Sequence, residues 1–224
     1  MTWSDLTEWW LDEIATDPAY DDVVTPMLLD VLSPKAGMSY LDLGCGEGRV
    51  MRTLASAGAR PVGVEMNLDL ARRAGTSGPI AAGSLPDLGF FRADSFDGAV
   101  CVLVIEHVED HGRLFAEVAR VVRPGGVFGL VMNHPYWTAP GSSPISYPDD
   151  ELLWRPGSYF ERGTLLEPAG DQEIQFHHRT TGDIVEAASS AGWSLERLIE
   201  APHHELVDQA GILRLLACRW RLLP

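Results

Sequence analysis

The segment that most constrains the fold lies at residues 40–48 and reads Y-L-D-L-G-C-G-E-G. A short apolar run ends at Gly44, and apolar residues then recur at helical spacing as far as Gly58. Glycine at every second position of the turn lets the backbone bend sharply and approach a ligand, because glycine has no Cβ. The segment therefore predicts a strand, a glycine turn and a helix, with a binding site at the carboxyl end of the strand.

The same alternation of strand and helix continues along the chain. The remaining apolar runs that predict strands are 61–64, 80–82, 97–104, 127–132, 193–199 and 212–220. The run at 97–104 is apolar at nearly every position, which is typical of a strand buried on both faces of a parallel sheet. We therefore predict an α/β fold with a doubly wound, mostly parallel seven-stranded sheet and helices on both faces, in a Rossmann-like arrangement.

Two segments of the chain lie outside this alternation. Residues 1–34 carry apolar residues at helical spacing, Trp9 and Trp10 among them, and are expected to form two amphipathic helices that cap the domain. Residues 134–178 follow the fifth strand and are rich in proline and aromatic residues, so neither a long helix nor a central strand is expected there. A connection of this length is usually a lid or a binding element. We expect residues 1–224 to form one domain that carries this insertion.

The chain is strongly acidic, with 17 Lys and Arg against 32 Asp and Glu and a formal net charge of −15. A surface of this charge repels polyanions, so neither nucleic acid nor an anionic membrane surface is an expected partner. The sequence shows no basic flank and apolar run of a secretion signal at its start, and no apolar run long enough for a transmembrane helix. Cys45, Cys101 and Cys218 form no C-x-x-C pair, so we expect reduced thiols, no metal site and a cytoplasmic location.

Two features near the glycine turn distinguish between nucleotide cofactors. A nicotinamide-binding turn with the spacing G-x-G-x-x-G needs its third glycine at position 49, but Arg49 stands there and Gly48 comes one residue early. Glu65 ends the predicted second strand, where a carboxylate can accept hydrogen bonds from both hydroxyls of a ribose. The two features favour a nucleoside cofactor without a pyrophosphate, of which S-adenosylmethionine is the common one.

Four segments in this order and spacing resemble the class I S-adenosylmethionine-dependent methyltransferase family over about residues 20–133. They are L-D-L-G-C-G-E-G-R, V-G-V-E, S-F-D-G-A-V-C-V-L-V-I-E-H-V and R-V-V-R-P-G-G. The resemblance implies that S-adenosylmethionine is the cofactor and that its methyl group is transferred to O, N or C of a small-molecule acceptor.

The resemblance also implies which residues surround the cofactor. Those around its amino-acid end would be Asp42, Gly44, Gly46 and Gly48. Glu65 would hold the ribose, Met66 would flank the adenine, and Val102 would line the methionine chain through its backbone. Such enzymes often carry Asp where this chain has Ser84, which is a weaker partner for the adenine amino group, whereas Leu85 can still donate its backbone N–H to the ring.

The fifth predicted strand leads to residues 133–135 at the carboxyl edge of the sheet, which is the ligand side of this fold. His134 is therefore the favoured general base, because an unperturbed imidazole titrates near neutral pH, and His178 and Tyr136 are its substitutes. A purely structural His134 that pins the proline-rich loop is an equal alternative. Glu106 and His107 are expected to cap or pin the segment after the fourth strand, and a catalytic role for this pair is the less favoured alternative. The insertion at 134–178, with Trp9 and Trp10, would roof an aromatic pocket for a small, partly apolar acceptor.

Two other functions stay open from the sequence. One is a nicotinamide-dependent oxidoreductase on a related fold, which tight NAD binding without S-adenosylmethionine binding would support. The other is a non-catalytic S-adenosylmethionine-binding protein, such as a regulatory partner, which cofactor binding without methyl transfer would support. The sequence leaves the oligomeric state open.

Overall fold

A computed structural model describes residues 6–146, 152–202 and 211–224. The α-helices are α1 (Thr7–Trp9), α2 (Thr25–Leu32), α3 (Arg49–Ser56), α4 (Leu68–Ala74), α5 (His111–Val121) and α6 (Thr181–Ser190). The strands are β1 (Ser39–Leu43), β2 (Arg60–Glu65), β3 (Ile80–Ala82), β4 (Phe96–Val102), β5 (Val122–Asn133), β6 (Ser143–Ser146), β7 (Leu152–Arg155), β8 (Gly163–Ala169), β9 (Gln172–His178), β10 (Trp193–Pro202) and β11 (Leu213–Leu222). The start of the predicted N-terminal cap and residues 147–151 of the predicted insertion lie outside the described residues.

Seven strands form one sheet in the order β10-β11-β5-β4-β1-β2-β3. The five strands from β3 to β5 run parallel, whereas β11 runs antiparallel to both of its neighbours. The predicted fold class, a doubly wound and mostly parallel sheet with an insertion after the fifth strand, is confirmed. After β1 the chain continues to β2 and β3 at one edge of the sheet. After β4 it continues to β5, toward the other edge. A crevice therefore opens at the carboxyl ends of these two strands.

Side chains that alternate along the strands divide the apolar core into two layers. On β4, Ala99 and Cys101 pack with residues of α5 and α6, whereas Val100 and Val102 pack with residues of α2 and α3 on the opposite face. The continuous apolar run of this strand is explained by the two layers, because both of its faces are covered by helices.

The caps of two helices agree with the sequence pattern. The side chain of Asp110 accepts the backbone N–H of Arg113 at 2.8 Å and begins α5. Thr180 begins α6 in a capping box with Asp183, each side chain accepting the other's backbone N–H. The pKa of Asp183 lies well below its usual range because Arg162 and the backbone N–H of Thr180 stabilise the carboxylate.

The N-terminal cap is less regular than the two predicted helices. After the short α1, single π-helical turns cover Trp10–Ile14 and Tyr20–Val24, and the second of them leads directly into α2. Pro26 stands in the first turn of α2, and since proline has no N–H it cannot complete the i to i−4 bond that an earlier α-helical start would need. Apolar spacing alone did not reveal this interruption.

The insertion contains two antiparallel ribbons, β6 with β7 and β8 with β9, which the sequence reading did not predict. Pro168 lies within β8 opposite Glu173. Proline is tolerated in this position because a two-stranded ribbon leaves one side of each strand without a neighbour in the sheet. The expectation that no central strand forms here agrees with these ribbons.

Candidate active site

The glycine turn after β1 has a left-handed backbone at three positions, with φ of +70° at Gly44, +53° at Gly46 and +93° at Gly48. A Cβ at Gly44 would lie 2.8 Å from the side chain of Val104, and one at Gly48 would lie 2.9 Å from the backbone of Ala74. Glycine at these two positions therefore avoids clashes with neighbouring residues of the protein. A Cβ at Gly46 would instead point toward the indole of Trp10, at 3.4 Å, which itself lines the crevice.

The carboxylate of Glu65 joins the end of β2 to the glycine turn. Its Oε2 accepts the backbone N–H of Gly46 at 2.9 Å, and its Oε1 accepts that of Asn67 at 2.7 Å. Burial raises the pKa of Glu65, and the bonds from Asn67, Gly46 and Met66 oppose that rise. The side chain is thus held rigidly at the carboxyl edge of the sheet, which is the position expected of a ribose ligand.

A cleft of about 230 Å³ extends from the glycine turn along the ends of β2 and β4. The predicted residues that line it are Gly44, Gly46, Glu65, Met66, Ser84 and Leu85. Asp42 and Val102 line a narrow recess of about 30 Å³ next to it. Gly48 lies away from both spaces and packs against α4. The structure therefore brings all the predicted cofactor residues except Gly48 to two adjoining spaces.

Asp42 is the most unusual group at the site. Its side chain is 1% exposed, and its Oδ2 has no hydrogen-bond partner among the described residues. Burial, followed by the charges of Glu65 and Glu47, raises the pKa of Asp42 to about 8. An unpaired buried acceptor is destabilising unless a donor reaches it. The recess therefore offers the unpaired Oδ2 of Asp42 as an acceptor to a cation or to another hydrogen-bond donor.

The N-terminal cap is fastened to the glycine turn by Arg49, the first residue of α3. Its guanidinium donates to the carbonyl of Ala15 and to Asp21, and it lies over the ring of Tyr20, 4.7 Å from the ring centroid. Trp10 of the same cap borders the cleft and the recess, and its Nε1 is buried without a partner among the described residues. The sequence predicted no such contact for Arg49, which stands where a nicotinamide-binding turn would have its third glycine. Its position at the start of the predicted helix, beside the turn, is the feature from which a contact with the cap could have been inferred.

A chamber of about 500 Å³ lies next to the cleft, between the cap and the insertion. Its aromatic lining consists of Trp9, Trp10, Tyr20, His107, Trp137, Trp154 and Phe176. Trp137 stacks on Trp154 with ring centroids 3.9 Å apart, and the guanidinium of Arg214 lies 4.9 Å from the Trp137 ring. Trp10, Leu103 and His107 line both the chamber and the cleft, so the two spaces meet at these residues.

The structure does not bring the three predicted catalytic residues into this chamber. His134 donates through Nε2 to Glu200 at 2.9 Å and accepts the backbone N–H of Tyr136 through Nδ1 at 3.0 Å, so its buried ring joins β5 to β10. His178 bonds the carbonyl of Tyr159 and borders a depression on the other side of the insertion. Tyr136, two residues after His134, does not line the chamber either. The end of a strand predicts which edge a residue reaches, but not the direction of its side chain.

Glu106 ties the turn after β4, the segment it was expected to pin, to the end of β5, because its Oε1 accepts both the backbone N–H of Asn133 at 2.6 Å and the side-chain amide at 3.0 Å. The cysteines Cys45, Cys101 and Cys218 are free and buried. Within the described ranges, no group of three or more His, Cys, Asp or Glu side chains is placed to hold a metal ion. No helix in the described part of the chain has the length and apolar character needed to cross a membrane.

Comparisons with known proteins agree with this geometry. A family model described as a methyltransferase domain matches residues 41–130. The chain is 37% identical, over 64% of its length, to an uncharacterised 37.1 kDa protein in transposon TN4556 of Streptomyces fradiae. It is 32% identical, over 57% of its length, to a ubiquinone biosynthesis O-methyltransferase of Hahella chejuensis. The chain spans only 42% and 58% of the lengths of these two relatives.

A crystal structure of an S-adenosylmethionine-dependent methyltransferase from Mesorhizobium loti is similar with a TM-score of 0.77 and 26% identity, over 93% of this chain and 99% of that one. Together these comparisons support a class I S-adenosylmethionine-dependent methyltransferase domain in this chain. The similarity to methyltransferases argues against the nicotinamide-dependent alternative, in agreement with Arg49 at the position of the third glycine.

The residues of the site fit S-adenosylmethionine, the cofactor of the similar methyltransferase structure. The unpartnered Oδ2 of Asp42 can accept a hydrogen bond from the α-ammonium group, and Glu65 offers a carboxylate for the ribose hydroxyls. Ser84, Leu85 and Met66 line the same cleft, which can accommodate an adenine. The site therefore provides an acceptor for each polar end of the cofactor and an apolar cleft between them.

Proposed function

We propose that this protein transfers the methyl group of S-adenosylmethionine to O, N or C of a small, partly apolar acceptor. The observation that carries the proposal is the aromatic chamber, which joins the cofactor cleft at Trp10, Leu103 and His107. The name of the Hahella relative favours oxygen as the accepting atom. The acidic charge of the chain favours a small molecule over a nucleic acid, and three reduced cysteines are typical of a cytoplasmic protein.

S-adenosylmethionine, when bound, supplies an electrophilic methyl group on its sulfonium. Glu65 and Asp42 would hold the two ends of the cofactor in the cleft that adjoins the chamber. The aromatic walls of the chamber would exclude water and align the acceptor, as an in-line displacement requires. The insertion at 134–178 would then serve as the lid over the acceptor site, and residues 1–34 as the cap over the cofactor.

The test is a transfer experiment with S-adenosylmethionine labelled in the methyl group and an extract of small metabolites. We expect mass spectrometry to detect at least one extract component that gains the labelled methyl group only when the protein is present. Heat-inactivated protein is the control. Cofactor binding without any labelled product across a broad acceptor panel would contradict the proposal and would support the non-catalytic S-adenosylmethionine-binding protein.

A substitution in the chamber separates acceptor binding from cofactor binding. Trp154→Ala is expected to raise KM for the acceptor by roughly 10-fold or more, because it removes an aromatic wall and the stacking partner of Trp137. The dissociation constant of the cofactor should stay within a few-fold of the parent value. Phe160→Ala is the matched control, since Phe160 is an aromatic residue of the same insertion that is 85% exposed and absent from the chamber lining. Equal KM values for the two variants would contradict a role of the chamber in acceptor binding.

A further inference from the structure

Glu167 places a carboxylate among apolar residues in the wall of the chamber. It lies in β8, directly opposite Ile174 of β9, and Leu165 is paired with Phe176 in the same way. Because side chains alternate along a strand, these four residues share one face of the ribbon. All four are half-buried and line the chamber. Glu167 is therefore the one charged group on an apolar face that borders the proposed acceptor site.

The protein itself provides no partner for this carboxylate. Within the described ranges, Glu167 makes neither a hydrogen bond nor an ion pair. Burial raises the pKa of Glu167, and no neighbouring cation or hydrogen-bond donor opposes that rise. A carboxylate that is partly removed from water is costly unless a cation or a donor reaches it. The carboxylate of Glu167 is thus available to a positive charge that enters the chamber.

The other charged groups of the chamber lining agree with a cationic ligand. Arg214 lies over the ring of Trp137 and donates to Asn133 at the end of β5, and its charge does not lower the pKa of Glu167. Asp17 of the cap adds a second carboxylate to the lining. The formal net charge of −15 also attracts cations to the molecule and repels anions.

The aromatic walls of the chamber suit a cation with an apolar body. An ammonium group is attracted to the faces of tryptophan and tyrosine rings, and the same rings pack against apolar groups. Trp9 of the cap packs on the ribbon that carries Glu167, because a Cβ at Gly170, in the turn between β8 and β9, would lie 3.1 Å from its indole. A hydrogen bond of 2.9 Å from Nε1 to Glu13 fixes that indole. The cap and the ribbon thus bring an aromatic wall and a carboxylate to one chamber.

We propose that the methyl acceptor is a small, partly apolar amine that is cationic at neutral pH, and that Glu167 binds its ammonium group. This inference rests on the proposed function and specifies its acceptor. Glu167 lines the chamber but not the cofactor cleft, so the ammonium group is held away from the cofactor. The accepting atom is then a different atom of the same molecule. Glu167 therefore determines which acceptor binds, and it takes no part in the transfer step.

The binding test uses pairs of probes that differ in charge but have the same ring and chain. The amines are 2-phenylethylamine and tryptamine, and the corresponding alcohols are 2-phenylethanol and tryptophol. Calorimetry in the presence of S-adenosylhomocysteine should show each amine binding to the parent protein at least 10-fold more tightly than its alcohol. Glu167→Gln is expected to weaken amine binding by roughly 10-fold and to leave alcohol binding unchanged. Glu167→Lys should go further and make phenylacetate bind more tightly than 2-phenylethylamine.

Glu173→Gln is the matched control, because it removes the same charge from the same ribbon. Glu173 lies in β9 opposite Pro168, is exposed and does not line the chamber. This variant should bind amines and alcohols as the parent does. A parent protein without a preference for either amine would overturn the proposal. Equal effects of Glu167→Gln and Glu173→Gln, or an equal loss of amine and alcohol binding in Glu167→Gln, would also overturn it.

The labelled metabolite extract separates this inference from the proposed function. We expect the labelled product to carry an amine, and Glu167→Gln to raise KM for its precursor roughly 10-fold with kcat within a few-fold of the parent value. An active parent whose labelled products carry no amine would overturn only the role of Glu167. Charge-dependent binding at Glu167 in a protein that labels nothing would reject the proposed function, and with it the assignment of the amine as the acceptor.

Discussion

Asp42→Asn is expected to weaken S-adenosylmethionine binding by roughly 100-fold at pH 9, the cost of losing a charged partner in a buried site. The parent Asp42 is mostly protonated below its pKa of about 8 and must lose that proton to meet the ammonium group. Each pH unit below 8 should therefore weaken parent binding by about tenfold. Because Asn does not titrate, the gap between parent and variant should narrow as the pH falls from 9 to 7. Calorimetric titrations at several pH values measure this directly.

The same substitution should stabilise the protein in the absence of cofactor. The folded protein holds the Asp42 proton more tightly than the unfolded chain, because burial raises the folded pKa from 3.8 to about 8. The contribution of Asp42 to the free energy of unfolding therefore falls as the pH rises from about 4 to about 8. Asp42→Asn removes that loss and should raise the free energy of unfolding by roughly 2 kcal/mol or more at pH 8, with little effect near pH 4.

Urea denaturation of Asp42→Asn at pH 4 and pH 8 is the measurement, with the exposed Asp171→Asn as a control that should show no such pH dependence. A stability difference that does not change with pH would mean that Asp42 stays ionised in the folded protein. Unchanged S-adenosylmethionine affinity at pH 9 would remove Asp42 from the cofactor site.

Glu65→Ala is expected to weaken cofactor binding by roughly 1.5 to 3 kcal/mol, the usual contribution of hydrogen bonds to a charged group. The carboxylate also accepts the backbone N–H groups of Gly46 and Asn67, so part of the effect comes through the shape of the glycine turn. Glu65→Gln keeps one oxygen acceptor and should fall between the parent and Glu65→Ala. Calorimetry with S-adenosylhomocysteine gives the three dissociation constants, and equal values would contradict a ribose contact.

Adenosine distinguishes the roles of Asp42 and Glu65, because it carries the ribose and the adenine but no amino-acid end. Glu65→Ala should weaken the binding of adenosine as well as that of S-adenosylhomocysteine. Asp42→Asn should weaken only the ligand that carries an ammonium group. If both substitutions affect adenosine equally, the assignment of the two carboxylates to opposite ends of the cofactor is not correct.

The cofactor half of the site could be predicted from the sequence because its residues follow directly from strand ends. A parallel strand delivers its last residues to one edge of the sheet, and side chains alternate along it with a period of two. Glu65 at the end of β2 and Asp42 before the glycine turn are therefore placed by local pattern alone. Gly46 lines the cleft next to these residues, whereas Gly48 packs against α4.

The acceptor half could not be predicted in the same way, because it depends on contacts between distant segments. His134 lies at the edge expected of it, but the direction of its ring is decided by Glu200, 66 residues along the chain. The ring of His107 is bonded to the carbonyl of Gln175, 68 residues away. Arg49 fastens the cap through Tyr20, whose ring position follows from an irregular π-helical turn. No periodicity in the sequence encodes any of these pairings.

Calorimetric titration with S-adenosylhomocysteine and, separately, with NAD tests the central claim most directly. With a metal chelator present throughout, we expect S-adenosylhomocysteine to bind at one site per chain and NAD to give no binding heat. The result that would contradict the account is the absence of heat with S-adenosylhomocysteine or S-adenosylmethionine at millimolar concentration, and tight NAD binding in the same experiment would return the chain to the nicotinamide-dependent alternative.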